Sequence, residues 1–341
     1  MLLSSRLQRS LGLLLSLSLL LVVVGCGTQS TPAPAAGQGE AKTAPAPQAE
    51  PAKRSIKHAL GNTELVGTPK RVVALEWTYT EDLLALGIQP VGSADIKNYK
   101  KWVNVTPALA ADVVDVGTRQ EPNLETIASL KPDLIIGVKF RHEKIYDQLR
   151  AIAPTLIFDP YPGENGPNQL QEMEETFLAI ADAVGKKAEG EAVLKRMNEK
   201  FAKAAADLKA KGKGGAEFAL AQAFSNQNTA QIRLFTENAM ASQILTRIGL
   251  KNAHKDAKFQ VYGFSTVSVE ALPAVQQAHF LYVVQESDDV FANQLKENPV
   301  WKGLAFVKEG RTYSLGGSTW LFGGPLSAEL FVDKAVAALT R

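Results

Sequence analysis

The chain has 341 residues, with 37 Lys and Arg against 35 Asp and Glu, which gives a formal charge of +2. A balance this even provides no general attraction to nucleic acid or to an anionic membrane surface, so any charged partner must be recognised by a local cluster. The single cysteine excludes a disulfide within the chain and a thiolate zinc site. The length is sufficient for two domains.

The first residues of the chain are typical of a secretory signal. Arg6 and Arg9 precede an apolar run from Leu11 to Val24, which is followed by Gly25 and Cys26. A basic start, a short apolar segment and a small residue before the cleavage site define such signals. The run is shorter than the roughly 20 residues of a transmembrane anchor. A cysteine directly after the small residue is the pattern of a bacterial lipoprotein signal. We therefore expect cleavage before Cys26, lipidation of its thiol, and retention on the outer face of the cell membrane by two or more acyl chains.

The next segment, residues 26–53, is dominated by small residues and proline, as in Thr31–Ala36 and Thr43–Pro47. Such a composition buries little apolar area and stays disordered or extended. It is predicted to be a tether between the lipid and the folded part of the chain. A proline-rich recognition motif is the alternative.

From residue 54 to residue 168, short apolar segments alternate with helical ones. The predicted strands are 71–75, 90–93, 113–116, 134–137 and 155–158, and the predicted helices are 81–86, 124–130 and 143–152. This alternation indicates a parallel sheet covered by helices. We assign residues 54–168 to an N-terminal α/β lobe.

Residues 169–213 are predicted to be one long connecting helix, because apolar residues recur at helical spacing and only Gly185 and Gly190 interrupt them. Residues 214–341 repeat the α/β pattern in a C-terminal lobe. Its predicted strands are 217–223, 231–235, 280–285 and 311–315, and its predicted helices are 239–249 and 326–339. The predicted fold class is α/β, with two lobes joined by a single long helix.

Two stretches, 122–136 and 265–282, resemble each other weakly. Each opens a helix, ends in a strand and carries a glutamate near the helix start, Glu125 in the first and Glu270 in the second. A glutamate in the first turn is favoured by the helix dipole, so two ordinary helix starts are the alternative to a shared function.

Six blocks of sequence, in this order along residues 54–341, resemble one family. They are Lys70–Leu75, Asp82–Gly92, Gly117–Glu125, Leu130–Gly137, Ile152–Thr155 and Trp320–Ala328. The set is similar to the iron-siderophore class of ABC-transporter solute-binding proteins, and the last block is similar to that of ferric hydroxamate and citrate-type binders. The resemblance implies a class III periplasmic-binding-protein fold, with a ligand cleft between the lobes and limited closure about one stiff helix. It also implies a monomeric receptor and not an enzyme. Together with the lipoprotein signal, it implies a Gram-positive cell surface and an ABC permease as partner.

The expected ligand is a ferric siderophore, and no cofactor or protein metal ligand is expected. Because the siderophore already wraps the iron in oxygens, the receptor must supply donors for anionic oxygens and apolar walls for the scaffold. Arginine suits the first role, since it stays charged and offers a planar fork of donors. Arg119 and Arg141 each follow a predicted strand, the place where open α/β sheets bind ligands. By resemblance, Arg119 matches the arginine that contacts iron-bound oxygens in hydroxamate binders, and the position of Arg141 carries an arginine or a tyrosine. Solvated loop arginines are the alternative.

Other candidates for the cleft come from both lobes. Arg233 lies in an apolar stretch and is either a ligand clamp or a strand residue on a solvated face. Trp320 would supply a wall and an indole N–H donor. The remaining aromatic and charged candidates are Trp77, Tyr79 and the rim residue Lys139 in the first lobe, and Tyr262 and Phe264 in the second. By resemblance, Glu125 and Glu270 would each pair with an arginine of one permease subunit.

Three other functions remain as alternatives. A zinc or manganese binder needs a His and carboxylate cluster, whereas His58, His142, His254 and His279 are scattered. A haem or cobalamin binder of the same fold is a closer rival, because Tyr262 could ligate haem iron. An extracytoplasmic hydrolase is disfavoured, since no Gly-x-Ser-x-Gly motif occurs. Hydroxamate, citrate-hydroxamate and ferric citrate ligands are not distinguished by the sequence.

Overall fold

The computed structural model of the chain describes residues 53–341. The predicted signal peptide, the lipidation site Cys26 and almost all of the tether lie outside the described residues. The described part begins with an antiparallel hairpin that was not predicted, formed by β1 (Lys53–His58) and β2 (Gly61–Val66). The hairpin packs on the first lobe, where the Ala59 N–H donates to the carbonyl of Ile157 at 2.7 Å.

The first lobe contains the predicted parallel sheet. Its strands are β3 (Val72–Ala74), β4 (Gly92–Ser93), β5 (Val114–Asp115), β6 (Leu134–Val138) and β7 (Thr155–Phe158). They lie in the order β5-β4-β3-β6-β7, and every pair is parallel. The chain moves outward from β3 through β4 to β5 and then returns to β6, so the topological switch point of the sheet lies between β3 and β6.

The helices of the first lobe differ in their limits from those predicted. They are α1 (Trp77–Ala85), α2 (Ile96–Trp102), α3 (Leu124–Ser129), α4 (Lys139–His142) and α5 (Tyr146–Ile152). The helix predicted over 81–86 begins one turn earlier, because the Glu76 side chain accepts a hydrogen bond from the N–H of Trp77 and caps it. The helix predicted over 143–152 is α5 preceded by a 3-10 turn over Glu143–Ile145.

The connecting segment is two helices and not the single long helix that was predicted. They are α6 (Gln169–Ala183) and α7 (Lys187–Ala210). Gly185, with φ +71°, ends α6, and the N–H groups of Gly185 and Lys186 donate to the carbonyls of Asp182 (3.0 Å) and Ala181 (2.7 Å). This is a Schellman ending, which a glycine favours. Gly190 lies inside α7, where a Cβ would stand 2.6 Å from the Ala181 Cβ. Gly190 therefore permits close packing of α7 on α6 and does not interrupt the helix.

The second sheet is mixed. Its strands are β8 (Glu217–Asn226), β9 (Thr229–Phe235), β10 (Lys251–Asn252), β11 (Phe264–Val267), β12 (His279–Val283) and β13 (Thr312–Ser314), in the order β11-β9-β8-β12-β13 with β10 also on β8. The pairs β8–β9 and β9–β11 are antiparallel and the others are parallel. Gln227 (φ 49°) and Asn228 (φ 61°) close the tight turn between β8 and β9, as expected for a two-residue hairpin loop.

One buried hydrophobic cluster extends across both lobes and the helices between them. The helices of the second lobe are α8 (Met240–Arg247), α9 (Pro299–Gly303), α10 (Ala305–Lys308) and α11 (Pro325–Leu339). Tyr79 of α1, Phe177 of α6, Phe201 of α7 and Phe331 of α11 belong to a single buried cluster. None of the helices within residues 53–341 has the length and hydropathy of a membrane span.

Candidate functional site

A cavity of about 450 Å³ opens between the two lobes. It is bounded by the carboxyl ends of β3 and β6, one face of α1, one face of α6, and the β9 and β11 strands of the second lobe. The sequence-predicted residues that line it are Tyr79, Arg119, Arg141, Arg233, Tyr262, Phe264 and Trp320. Residues far apart in the sequence are therefore brought to one cleft.

Arg119 and Arg141 meet at one carboxylate that was not predicted, that of Glu76. The Arg119 guanidinium donates to Glu76 Oε1 at 2.7 Å, and Nε of Arg141 donates to Glu76 Oε2 at 3.1 Å. Nε of Arg119 is also 3.7 Å from a carboxylate oxygen of Asp95. Glu76 follows β3 and Arg141 follows β6, so this pair lies at the switch point of the sheet. The shared carboxylate fixes both guanidiniums at the wall of the cavity.

Trp77 was expected to line the cleft, but it lies behind the wall. Its ring packs 3.5 Å below the carbon of the Arg119 guanidinium, and the residue is only 2% exposed. The reason is that Trp77 is the first residue of α1 and points into the cluster that holds Tyr99 and Trp320. Trp77 therefore supports Arg119 by a cation–π contact. Lys139 also lies outside the cavity wall and faces Asp159 at 3.6 Å.

His142 orients the loop of Arg119. Its Nδ1 accepts a hydrogen bond from the N–H of Val138 at 2.9 Å, so the proton lies on Nε2, which donates to the Arg119 carbonyl at 2.8 Å. Burial lowers the pKa of His142 and keeps the ring neutral. A Cβ at Gly137 would stand 2.9 Å from the ring nitrogen, so glycine there leaves the space that the imidazole occupies.

Arg233 faces the cavity from the second lobe without a carboxylate partner among residues 53–341. It donates to Gln222 Oε1 at 3.0 Å, and its guanidinium carbon lies 4.6 Å from the ring centre of Phe264. Burial lowers the pKa of Arg233, but a guanidinium remains charged at neutral pH. Most of its N–H donors are therefore free for a ligand.

Aromatic rings form the rim of the cavity. Phe140 of the first lobe and Tyr262 of the second lie 6.2 Å apart, and both pack on Tyr161, at 5.4 and 5.0 Å. Burial raises the pKa of Tyr161, as does Glu76, while Arg141, Arg119 and Arg233 act on the same phenol in the opposite direction. The charges of all three arginines therefore act on one tyrosine, which also lines the cavity. Neither Phe140 nor Tyr161 was predicted, although Phe140 follows β6 directly, as Arg141 does.

Carboxyl groups line the part of the wall made by α1 and α6. Asp82 and Glu172 face the cavity, and Glu172 Oε1 accepts a hydrogen bond from the Thr176 hydroxyl at 2.5 Å. Burial raises the pKa of Asp82 well above its usual range and that of Glu172 to about 8. The neighbouring Glu81 is different, because the N–H and hydroxyl of Ser327 donate to its two oxygens at 2.7 and 2.5 Å. Glu81 thus joins α1 to the start of α11.

Glu125 and Glu270 lie outside the cavity wall. Glu125 is in the first turn of α3, which Asn123 caps, and Glu270 is in the first turn of a 3-10 segment over Val269–Val275. Both side chains are exposed, and neither forms an ion pair within the described part of the chain. Each belongs to a different lobe. Across residues 53–341, no three His, Cys, Asp or Glu side chains are placed to hold a metal ion.

Curated proteins similar to this chain are named for binding siderophores or ferric citrate. The family pattern described as "Periplasmic binding protein" matches residues 72–319. The chain is 33% identical over 288 residues to the "Probable siderophore-binding lipoprotein YfiY" of Bacillus subtilis, covering 81% of this chain and 84% of that protein. It is 34% identical over 277 residues to the "Fe(3+)-citrate-binding protein YfmC" of the same organism, covering 81% of this chain and 82% of that protein.

Solved structures confirm the predicted two-lobed class III fold. FhuD from Vibrio cholerae with bound Fe3+–Desferal has a TM-score of 0.71 at 30% identity, covering 80% of this chain and 98% of that one. SirA from Staphylococcus aureus in complex with staphyloferrin B has a TM-score of 0.64 at 29% identity, covering 84% of this chain and 98% of that one. Since the family pattern spans most of the folded residues and the relatives align along most of their length, the chain belongs to the periplasmic binding protein family.

Proposed function

We propose that this chain is an extracytoplasmic receptor that binds a ferric siderophore in the cavity between its lobes and delivers it to the permease of an ABC transporter. The observation that carries the proposal is the group of three arginines at the cavity wall. Two carboxylates, Glu76 and Asp95, lie within 4.0 Å of Arg119 or Arg141, and Arg233 has no acidic partner in the described residues. One positive charge is therefore left for an anionic ligand.

The remaining features of the site fit a complex in which the iron is already chelated. A guanidinium offers five donors, and the contacts within the protein use only some of them. The aromatic rim supplies apolar surface for an organic scaffold. The names of the relatives YfiY and YfmC support this ligand class, and hydroxamate, citrate-hydroxamate and ferric citrate ligands all present the required anionic oxygens.

Titration of tryptophan fluorescence tests the proposal, because Trp320 lines the cavity and Trp77 lies 5.0 Å from its ring. The ligands are ferric hydroxamate, citrate-hydroxamate, citrate and catecholate complexes, with the iron-free compounds, haem and cobalamin as controls. We expect saturable quenching by at least one ferric complex and none by haem or cobalamin. Saturable binding of haem or cobalamin without binding of any ferric siderophore would overturn the proposal.

The membrane anchor is a separate part of the proposal. It rests on the order of Gly25 and Cys26 after an apolar segment and on the word lipoprotein in the name of YfiY. In cells fed a radioactive fatty acid, the wild-type protein should be labelled and the Cys26→Ala variant should not. Equal labelling of the two proteins would contradict the anchor.

Docking to the permease is assigned to Glu125 and Glu270. Both are exposed, unpaired within the described residues, and carried by different lobes, so each could meet one of two permease subunits.

A further inference from the structure

A second group of polar residues at the cavity wall has no role in holding anionic oxygens. Tyr79 and Asp82 are three residues apart on one face of α1, and they line the same cavity as Glu76, the residue that precedes the helix. With a rise of about 1.5 Å per residue, Asp82 lies roughly 9 Å further along the helix than the arginine-bound Glu76. Glu172 belongs to the facing surface of α6, and its charge acts on the pKa values of both Asp82 and Tyr79. We call Tyr79, Asp82 and Glu172 the inner cluster.

Two of the three side chains of the inner cluster have no hydrogen-bond partner among the described residues. Asp82 is 1% exposed, and neither of its carboxylate oxygens has a partner among the described residues. The hydroxyl of Tyr79 is also buried and unpartnered there. Glu172 has one contact, from Thr176. Buried acceptors are normally paired, and leaving one unpaired costs free energy. The adjacent Glu81 follows this rule, because Ser327 donates to both of its oxygens.

The inner cluster also lacks a cation. No Lys or Arg of the described residues forms an ion pair with Asp82 or Glu172, although three arginines line the same cavity. Gly324 packs closely against Asp82, since a Cβ at that position would stand 2.2 Å from Asp82 Oδ1, and this glycine therefore lets the carboxyl group fit beside the start of α11. Burial raises the pKa of both carboxyls, that of Glu172 to about 8, and repulsion from Glu81 and Glu172 raises the pKa of Asp82 further.

We propose that the inner cluster is a subsite for a protonated primary amine carried on an outer arm of the siderophore. A primary ammonium has three N–H donors, and the two unpartnered oxygens of Asp82, with Tyr79 and Glu172, provide acceptors around it. The ligand would then be dipolar, with its chelated iron at the arginines and its amine roughly 9 Å deeper along α1. The inference rests on the proposed function and specifies the ligand further.

The test compares two ligands that differ only in the amine. One is the ferric complex of a linear trihydroxamate with a free terminal primary amine, and the other is the same complex with that amine acetylated. The iron centre presented to the arginines is identical. We expect the wild type to bind the amine form at least about tenfold more tightly. In Asp82→Asn and Glu172→Gln the ratio should fall towards one, with little change in affinity for the acetylated form.

Glu175→Gln is the matched control, because Glu175 lies on the exposed side of α6, three residues after Glu172. It should keep the wild-type ratio. Should Asp82→Asn fail to fold, as judged by circular dichroism, the half-buried Glu172 variant gives the result.

Several outcomes would overturn the inference and leave the proposed function intact. The first is equal affinity of the wild type for the amine and acetylated forms of the ligand. The second is a preference for the amine form that remains in both Asp82→Asn and Glu172→Gln. The third is binding of other ferric siderophores by a wild-type protein that binds neither form. Absence of binding to any ferric siderophore would instead reject the proposed function, and the inference with it.

Discussion

Glu76 is the residue on which the position of the two first-lobe arginines depends. Its carboxylate accepts from both guanidiniums and also caps α1, so one side chain links the helix start to the ligand-facing charges. The same arginine is restricted further by Trp77, whose ring packs under the guanidinium, and by His142, which donates to the Arg119 carbonyl. A side chain held in this way loses little conformational entropy when it binds a ligand.

Removal of either arginine should weaken binding. We expect Arg119→Ala and Arg141→Ala each to reduce the affinity for the preferred ferric siderophore by about 1.5–3 kcal/mol, the range for hydrogen bonds to charged groups. This corresponds to a loss of roughly ten- to a hundredfold in Kd, measured by fluorescence titration. Arg150→Ala is the control, because Arg150 is an exposed arginine of α5 whose ion pair is with Asp147. Unchanged affinity in both cavity variants would contradict the assignment.

The helices α6 and α7 show how the two lobes are joined. A Schellman ending at Gly185 turns the chain, and Gly190 lets the second helix pack closely on the first. The helix α11 then packs along α7, with Glu329 accepting from Arg196 at 3.0 Å, and its start is fixed to α1 through Glu81 and Ser327. Through these contacts α6, α7 and α11 pack together with α1 where the two lobes join.

Substitution of a glycine by alanine tests whether close packing requires that glycine. Gly190→Ala should lower the free energy of unfolding by about 1–3 kcal/mol, the usual cost of overpacking, because the new Cβ would meet that of Ala181. Gly303→Ala is the matched helical control, since nothing lies within 4 Å of its Cβ position. It should stabilise the protein by about 0.4–1 kcal/mol, because alanine lowers the conformational entropy of the unfolded chain. Chemical denaturation measures both values, and equal effects of the two substitutions would show that Gly190 has no packing role.

The residues proposed to bind the ligand and those proposed to contact the permease lie in different parts of the molecule. The arginines, the aromatic rim and the inner cluster are all within the cavity, whereas Glu125 and Glu270 are exposed on different lobes outside it. Substitutions at the two glutamates should therefore affect transport and not binding.

Charge reversal gives the sharpest test of docking. In the Glu125→Lys and Glu270→Lys double variant, siderophore affinity should stay within about twofold of the wild type, while uptake of radioactive iron by cells should fall strongly, because like charges would then face the permease. Single Ala variants should have smaller effects, since exposed ion pairs contribute only about 0.2–1 kcal/mol. Glu199→Lys on α7, with an exposed side chain, is the control for surface charge. Normal uptake by the double variant would leave these residues as ordinary helix-start acids.

Local patterns in the sequence were sufficient to predict most of the strands and helices of the first lobe. Apolar runs bounded by glycine and polar residues predicted all five strands of the parallel sheet, because buried parallel strands are nearly continuous apolar segments. The same reasoning placed Arg119 and Arg141 at strand ends that converge. Glu76 could have been found in the same way, since it follows the strand over 71–75 directly.

Tertiary packing determined the features that no local pattern contains. Gly185 ends a helix through its left-handed backbone, whereas Gly190 lies inside one, and only the folded chain places Ala181 opposite Gly190. The cavity position of Arg233 depends on the antiparallel pairing of β9, and that of Tyr161 on rings from both lobes. Asp82 and Glu172 are 90 positions apart in sequence. Only the packing of α1 against α6 shows that they line one cavity and that neither carboxyl group has a Lys or Arg partner there within the described part of the chain. Hydrophobic periodicity specifies which residues are buried, but long-range packing specifies which buried groups meet.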